Sequence, residues 1–163
     1  MRLALLLLLT LFVFQSYATN EDPVKKKLDA QKITITPKLD GKLDEDVWKT
    51  AGVAKDFVMF EPGNGDPEDP DFRTEVRILF TDEAMYIGAM MYDPKPDSIL
   101  TQLTQRDDMD KNVDWFGFFI NPYNDGLSDF NFWVTAAGTQ ADSRTTTEGD
   151  DFSLNSVWKS AVD

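Results

Sequence analysis

Asp108, Asp110, Asn112 and Asp114 put oxygen-bearing side chains at every second position, the spacing by which a calcium loop presents its ligands. An EF-hand is excluded: Val113 stands where its sixth-position glycine belongs, and Phe119 where its closing glutamate belongs. Two readings remain for Asp108, Asp110 and Asp114. They form a looser Ca2+ site, or they belong to a solvated acidic loop. Catalytic chemistry has less to work with. The chain has no histidine and no cysteine. That removes the commonest general base, the Ser-His-Asp triad, and histidine or thiolate metal sites. A carboxylate pair suffices for glycoside hydrolysis. With 29 acidic residues some pair meets any spacing rule, so this signal decides nothing. No glycine-rich phosphate loop or G-x-S-x-G elbow is present. The expectation is a non-catalytic chain.

The elements that must position these residues read as short strands. Residues 32–36 alternate, with Ile33 and Ile35 on one side, and predict a first strand. Asp44 is placed to cap a short helix over 44–51, with Trp48 as its buried anchor. Residues 57–60 predict a second strand. Residues 74–81 and 85–92 predict a hairpin across the turn Thr81-Asp82-Glu83-Ala84. Residues 115–120 are apolar or glycine throughout and predict a central strand. Residues 130–135 follow as its hairpin partner, 140–145 as a further strand, and 149–155 as an acidic loop. Short strands separated by turns predict an all-β, two-sheet β-sandwich, jelly-roll-like, with one short helix.

Before these elements, Met1-Arg2, an apolar stretch from Leu3 to Phe14 and the small residues around Ala18 have the three parts of a secretory signal peptide. The stretch is shorter than the ~20 residues that a membrane span needs. The expected organisation is a signal peptide at 1–18, a polar tether at 19–31 and the β-sandwich at 32–163. The formal charge of −13 repels nucleic acid and anionic headgroups. No nucleic-acid partner is expected.

Several segments resemble family-9 carbohydrate-binding modules. The run from Leu39 to Ala51, with Leu39-Asp40-Gly41-Lys42-Leu43-Asp44 and Val47-Trp48, is similar to that family's opening signature. The strand, acidic turn and strand from Thr74 to Ile87 resemble its second landmark. Asp114 with the hydrophobic strand closing at Asn121, and Phe132-Trp133-Val134-Thr135-Ala136-Ala137-Gly138, resemble the third and fourth. The similarity is strongest to a branch in which the module follows a signal peptide and precedes a large β-rich, barrel-like domain in the Gram-negative envelope. The resemblance implies a periplasmic, outer-membrane or cell-surface location and an association with carbohydrate catabolism. It also implies a polysaccharide or oligosaccharide ligand, and the downstream β-rich domain as a partner within the same protein. The family's sandwich continues beyond the segment that matches Trp158, so an incomplete sandwich with an unpaired strand edge is expected. Two departures stand out. Lys111 occupies the place of a sugar-stacking tryptophan, and Gly117, Trp133 and Thr135 occupy the places of polar sugar contacts.

Alternation along the strands then sorts the candidate binding residues. Phe116, Phe118, Ile120, Phe130, Phe132 and Val134 share an apolar face, expected to be core. Trp115, Gly117, Phe119, Asn131, Trp133 and Thr135 share the other. Aromatic rings stack on the C–H faces of sugars while amides and hydroxyls bond their edges. Trp115, Asn131, Trp133 and Thr135 are therefore the expected ligand contacts. The alternative is that this face is covered, with Trp133 packed over Gly117. The role of Trp158 stays open.

Overall fold

The computed structural model describes residues 25–163. The signal peptide expected at 1–18, and the tether as far as residue 24, lie outside the described residues. The chain is all-β, with seven strands in two sheets and one short α-helix among the described residues. The first sheet has the order β1-β2-β3, with β1 Gln31–Lys32, β2 Thr74–Phe80 and β3 Met85–Met91. The second has the order β4-β5-β6-β7, with β4 Trp115–Ile120, β5 Asp129–Thr135, β6 Gln140–Thr146 and β7 Gly149–Asp151. Both sheets are open among the described residues, and together they make a two-sheet sandwich. No helix among the described residues is long and apolar enough to cross a membrane.

The hairpin at β2–β3 forms as the sequence predicts, with Thr74 opposite Met91 and Phe80 opposite Met85. Its turn is fastened by the Thr81 hydroxyl, which accepts from the Glu83 and Ala84 amides. Leu79 is fully buried beneath it, in a cluster with Ile33, Trp48 and Ala51. Leu43, Val47 and Tyr86 pack on that cluster. The helix α1, Asp46–Lys49, brings Trp48 into it, so the expected anchor is in place. Gly88 makes room for the indole. A Cβ there would lie 2.6 Å from Leu43 Cδ2 and 2.9 Å from Trp48 Cζ3.

Several expectations need correction. The helix is not capped by Asp44. Glu45 holds the N-cap position without a side-chain bond to the helix, because its carboxylate accepts from the Lys38 amide instead. The strand expected at 32–36 shrinks to Gln31–Lys32, paired parallel to β2. Ile33 turns into the core while Ile35 is exposed. Residues 57–60 form no strand. They make a single bridge, Val58 to Pro67, and expose all four apolar side chains, because their backbone bonds only to the nearby loop at 65–68, through Met59 with Asp66 and Gly65 and Phe57 with Glu68, and not to a sheet. The acidic loop expected at 149–155 contains the short strand β7.

The strand β4 keeps its predicted bounds but lies at the edge of its sheet. Its unbroken apolar run reflects two faces put to different uses, not two flanking strands: Phe119 stays 57% exposed. The apolar face shared by β4 and β5 is half-buried, not fully buried. It turns polar at β6, where Asp142 pairs with Phe132 and Arg144 with Phe130. Trp158 packs edge-on against Phe132 at 5.5 Å, which settles its role as cover for this face.

Candidate functional site

The register of β4 with β5 places Trp115 opposite Thr135, Gly117 opposite Trp133 and Phe119 opposite Asn131. On β6 the same face continues with Ala141 beside Trp133 and Ser143 beside Asn131. The sequence-predicted residues Trp115, Asn131, Trp133 and Thr135 therefore do share one face. Their environments divide it in two.

The polar pair is buried on that face. Asn131 is 2% exposed, and its Nδ2 donates to Ser143 Oγ at 3.1 Å and Thr145 Oγ1 at 2.6 Å. Thr145 Oγ1 in turn donates to Asp150 Oδ1 at 2.5 Å. That fixes the amide, because a hydroxyl that gives its proton to a carboxylate must accept from Asn131. The buried Asn131 Oδ1 is left with no partner. Thr135 is 1% exposed, and its hydroxyl accepts from the Thr139 amide at 2.9 Å, shaping the turn into β6. As placed, both residues hold the sheet together.

The aromatic part faces outward. Trp133 packs over Gly117, where an added Cβ would come within 2.9 Å of indole Cδ1. This is the packing the alternative reading expected. Phe119 meets Trp133 edge-to-face at 5.3 Å and 85°. Phe152 stacks on Trp133 at 6.1 Å with the planes 23° apart. Such offsets are the favoured arrangements of aromatic pairs. The result is a three-ring platform of Phe119, Trp133 and Phe152, with Trp115 half-buried beside it. Phe152 was not legible from the sequence. It follows a strand of three residues that carries no apolar alternation.

The acidic residues do not converge. Asp108 Oδ1 accepts from the Asp110 amide at 3.3 Å, and Lys111 lies 3.7 Å from its carboxylate. Asp114 Oδ2 accepts from the Leu100 amide at 3.0 Å. Among the described residues no group of three or more acidic side chains comes together to hold a metal ion.

Another carboxylate is far more engaged. Asp142 is fully buried and pairs with Arg106, whose guanidinium also donates to Gln140. The Asp142 carboxylate also accepts from Trp158 Nε1 at 3.3 Å and the Ser156 amide at 2.7 Å. One signal was available. Pairing β6 with β5 puts Asp142 opposite Phe132, beside the apolar face of β5, where a charge demands a partner. A groove of about 480 Å³ lies elsewhere, between Lys55–Val58 and Arg73–Glu75. Its Glu68 is occupied in holding the Phe57 and Thr74 amides.

No protein-family model matches the chain, and searches of curated proteins and of solved structures found no match.

Proposed function

We propose that the chain is an extracytoplasmic carbohydrate-binding-like module that performs no chemistry itself and serves a carbohydrate-degrading system of the cell envelope. One observation carries the reading. One face of the second sheet carries partly exposed aromatic rings, Phe119 and Trp133, with Phe152 stacked on Trp133 and Trp115 half-buried on the same face. Exposed aromatic clusters of this kind mark binding surfaces, and ring faces stack on the apolar faces of sugars. The signal-peptide pattern at 1–18 supports export, and the landmark motifs shared with family-9 carbohydrate-binding modules support the ligand class. Titration with a panel of soluble α- and β-linked oligosaccharides should quench or shift tryptophan emission, and Trp133→Ala should abolish the response. Silence across the panel rejects a sugar ligand.

A second reading has its own observation. The Asn131 amide nitrogen bonds Ser143 and Thr145, and the Thr135 hydroxyl accepts from the Thr139 amide, so these polar groups serve the sheet rather than a ligand on the rings. Such a surface also suits docking on a β-rich domain of the same protein. In that case the isolated downstream domain binds the module, and Trp133→Ala breaks that complex.

A further inference from the structure

Resting on the carbohydrate reading, we infer that the platform is self-capped: Phe152 occupies the stacking position on Trp133 that a ligand ring takes, and β7 is the element that moves to admit it. The Phe152 ring lies nearly parallel to the indole, at 6.1 Å and 23°, as a pyranose ring lies on an aromatic face. It is not a core residue, being 40% exposed. The strand that delivers it is the weakest in the sheet. It has three exposed residues paired only to Thr146, Thr145 and Arg144 of β6. Short exposed edges with few buried contacts open at low cost.

The turn that aims the ring is local. Asp151 Oδ1 accepts from the Ser153 amide at 2.9 Å, bending the chain directly after β7. The hydrogen bonds from Ser153, hydroxyl first and then amide, hold the Asp151 carboxyl below its ordinary range. A second observation concerns what lies under the cap. Asn131 Oδ1 is buried and unpartnered on the same face, two residues from Trp133 along β5. Its amide is locked in that orientation through Thr145 and Asp150, so β7 itself keeps this acceptor without a donor. Displacing β7 frees both the indole face that Phe152 covers and the Thr145 hydroxyl that Asp150 holds. A ring with one apolar face and hydroxyls at its edge satisfies both.

The test uses 5-fluorotryptophan-labelled chain, with the Trp133 resonance assigned by Trp133→Phe. In the absence of sugar, Phe152→Ala should move the Trp133 resonance more than those of Trp48, Trp115 or Trp158. Against the oligosaccharides that the unaltered chain binds, Phe152→Ala should bind about tenfold tighter, because a cap that hides the site most of the time lowers apparent affinity by that fraction. Phe152→Leu, which keeps the bulk without the ring, should fold as the parent does and bind with a smaller gain. An unmoved Trp133 resonance overturns the cap, and so does unchanged or weaker binding by both variants. If the resonance moves while neither the parent nor any variant binds a sugar, the carbohydrate reading falls and the cap has no ligand to exclude. Sugar binding without a gain overturns the cap alone.

Discussion

Asp142 shows how much a single side chain organises. Burying a carboxylate is costly unless its charge is paired and its oxygens are bonded. Here Arg106 supplies the charge, and Trp158 Nε1 and the Ser156 amide supply further bonds. Arg106 remains about one third exposed, so water weakens the pair. Asp142→Ala strands the guanidinium and frees two donors. It should cost about 3 kcal/mol, at the lower end for a broken buried pair, measured by urea denaturation with Trp158 emission as the probe. A second carboxylate responds to pH in the opposite setting. Asp125 is exposed, and its carboxyl is held below 3.8 chiefly by the Leu127 amide, with help from Asn121. A depressed carboxyl contributes its turn-stabilising effect above the ordinary value and loses it as pH falls through the lowered one. The midpoint of the Leu127 amide shift should therefore lie below 3.8. A midpoint above 3.8 in an NMR titration would contradict the assignment.

At the scale of elements, the hairpin at β2–β3 and the pair β4–β5 form with the register that alternation predicts, because each has one turn and two strands of nearly equal length. Strands that depend on distant partners were not legible. β1 is two residues long and pairs with a strand more than forty positions away, so its backbone partner is invisible in local pattern. β7 has no apolar residue to betray it. The candidate face was legible as a face, but its chemistry was not. Alternation assigns Asn131 and Trp133 to one side, yet only the placement of Ser143, Thr145 and Phe152 decides that one is buried and the other stacked. Close approach between elements yields its own prediction. Gly88→Ala puts a methyl against Leu43 and Trp48 with no room to spare. Overpacking of this kind costs about 1–3 kcal/mol, so calorimetry should show a lower Tm. Gly65→Ala should cost less than Gly88→Ala. A Cβ at Gly65 meets no atom within 4 Å, and only its positive φ opposes the change.

For the molecule as a whole, acidic residues outnumber basic ones 29 to 16. Among the described residues the pairs Lys32–Asp82, Lys42–Asp163 and Lys49–Asp46 are exposed on both sides and contribute little. Net repulsion therefore outweighs them. Screening acts over about 10 Å at 0.1 M salt, so raising sodium chloride from about 10 mM to about 200 mM should raise Tm. A fall would mean that the exposed pairs matter more than their geometry suggests.

The ties around Asp142 also bear on how the native state breathes. Arg106 comes from the segment before β4, while Ser156 and Trp158 come from the segment after β7, and all three end on one carboxylate. The Asp142 amide is held by Asp107 Oδ1, and the Asp107 amide by the Gln140 carbonyl. Neither segment can lift without exposing the charge that anchors the other. They should behave as one cooperative opening unit despite lying some fifty residues apart in the chain. Amide hydrogen exchange provides the measure: the protons of Asp107, Asp142 and Ser156 should share a single opening free energy, and Asp142→Ala should collapse all three protections together.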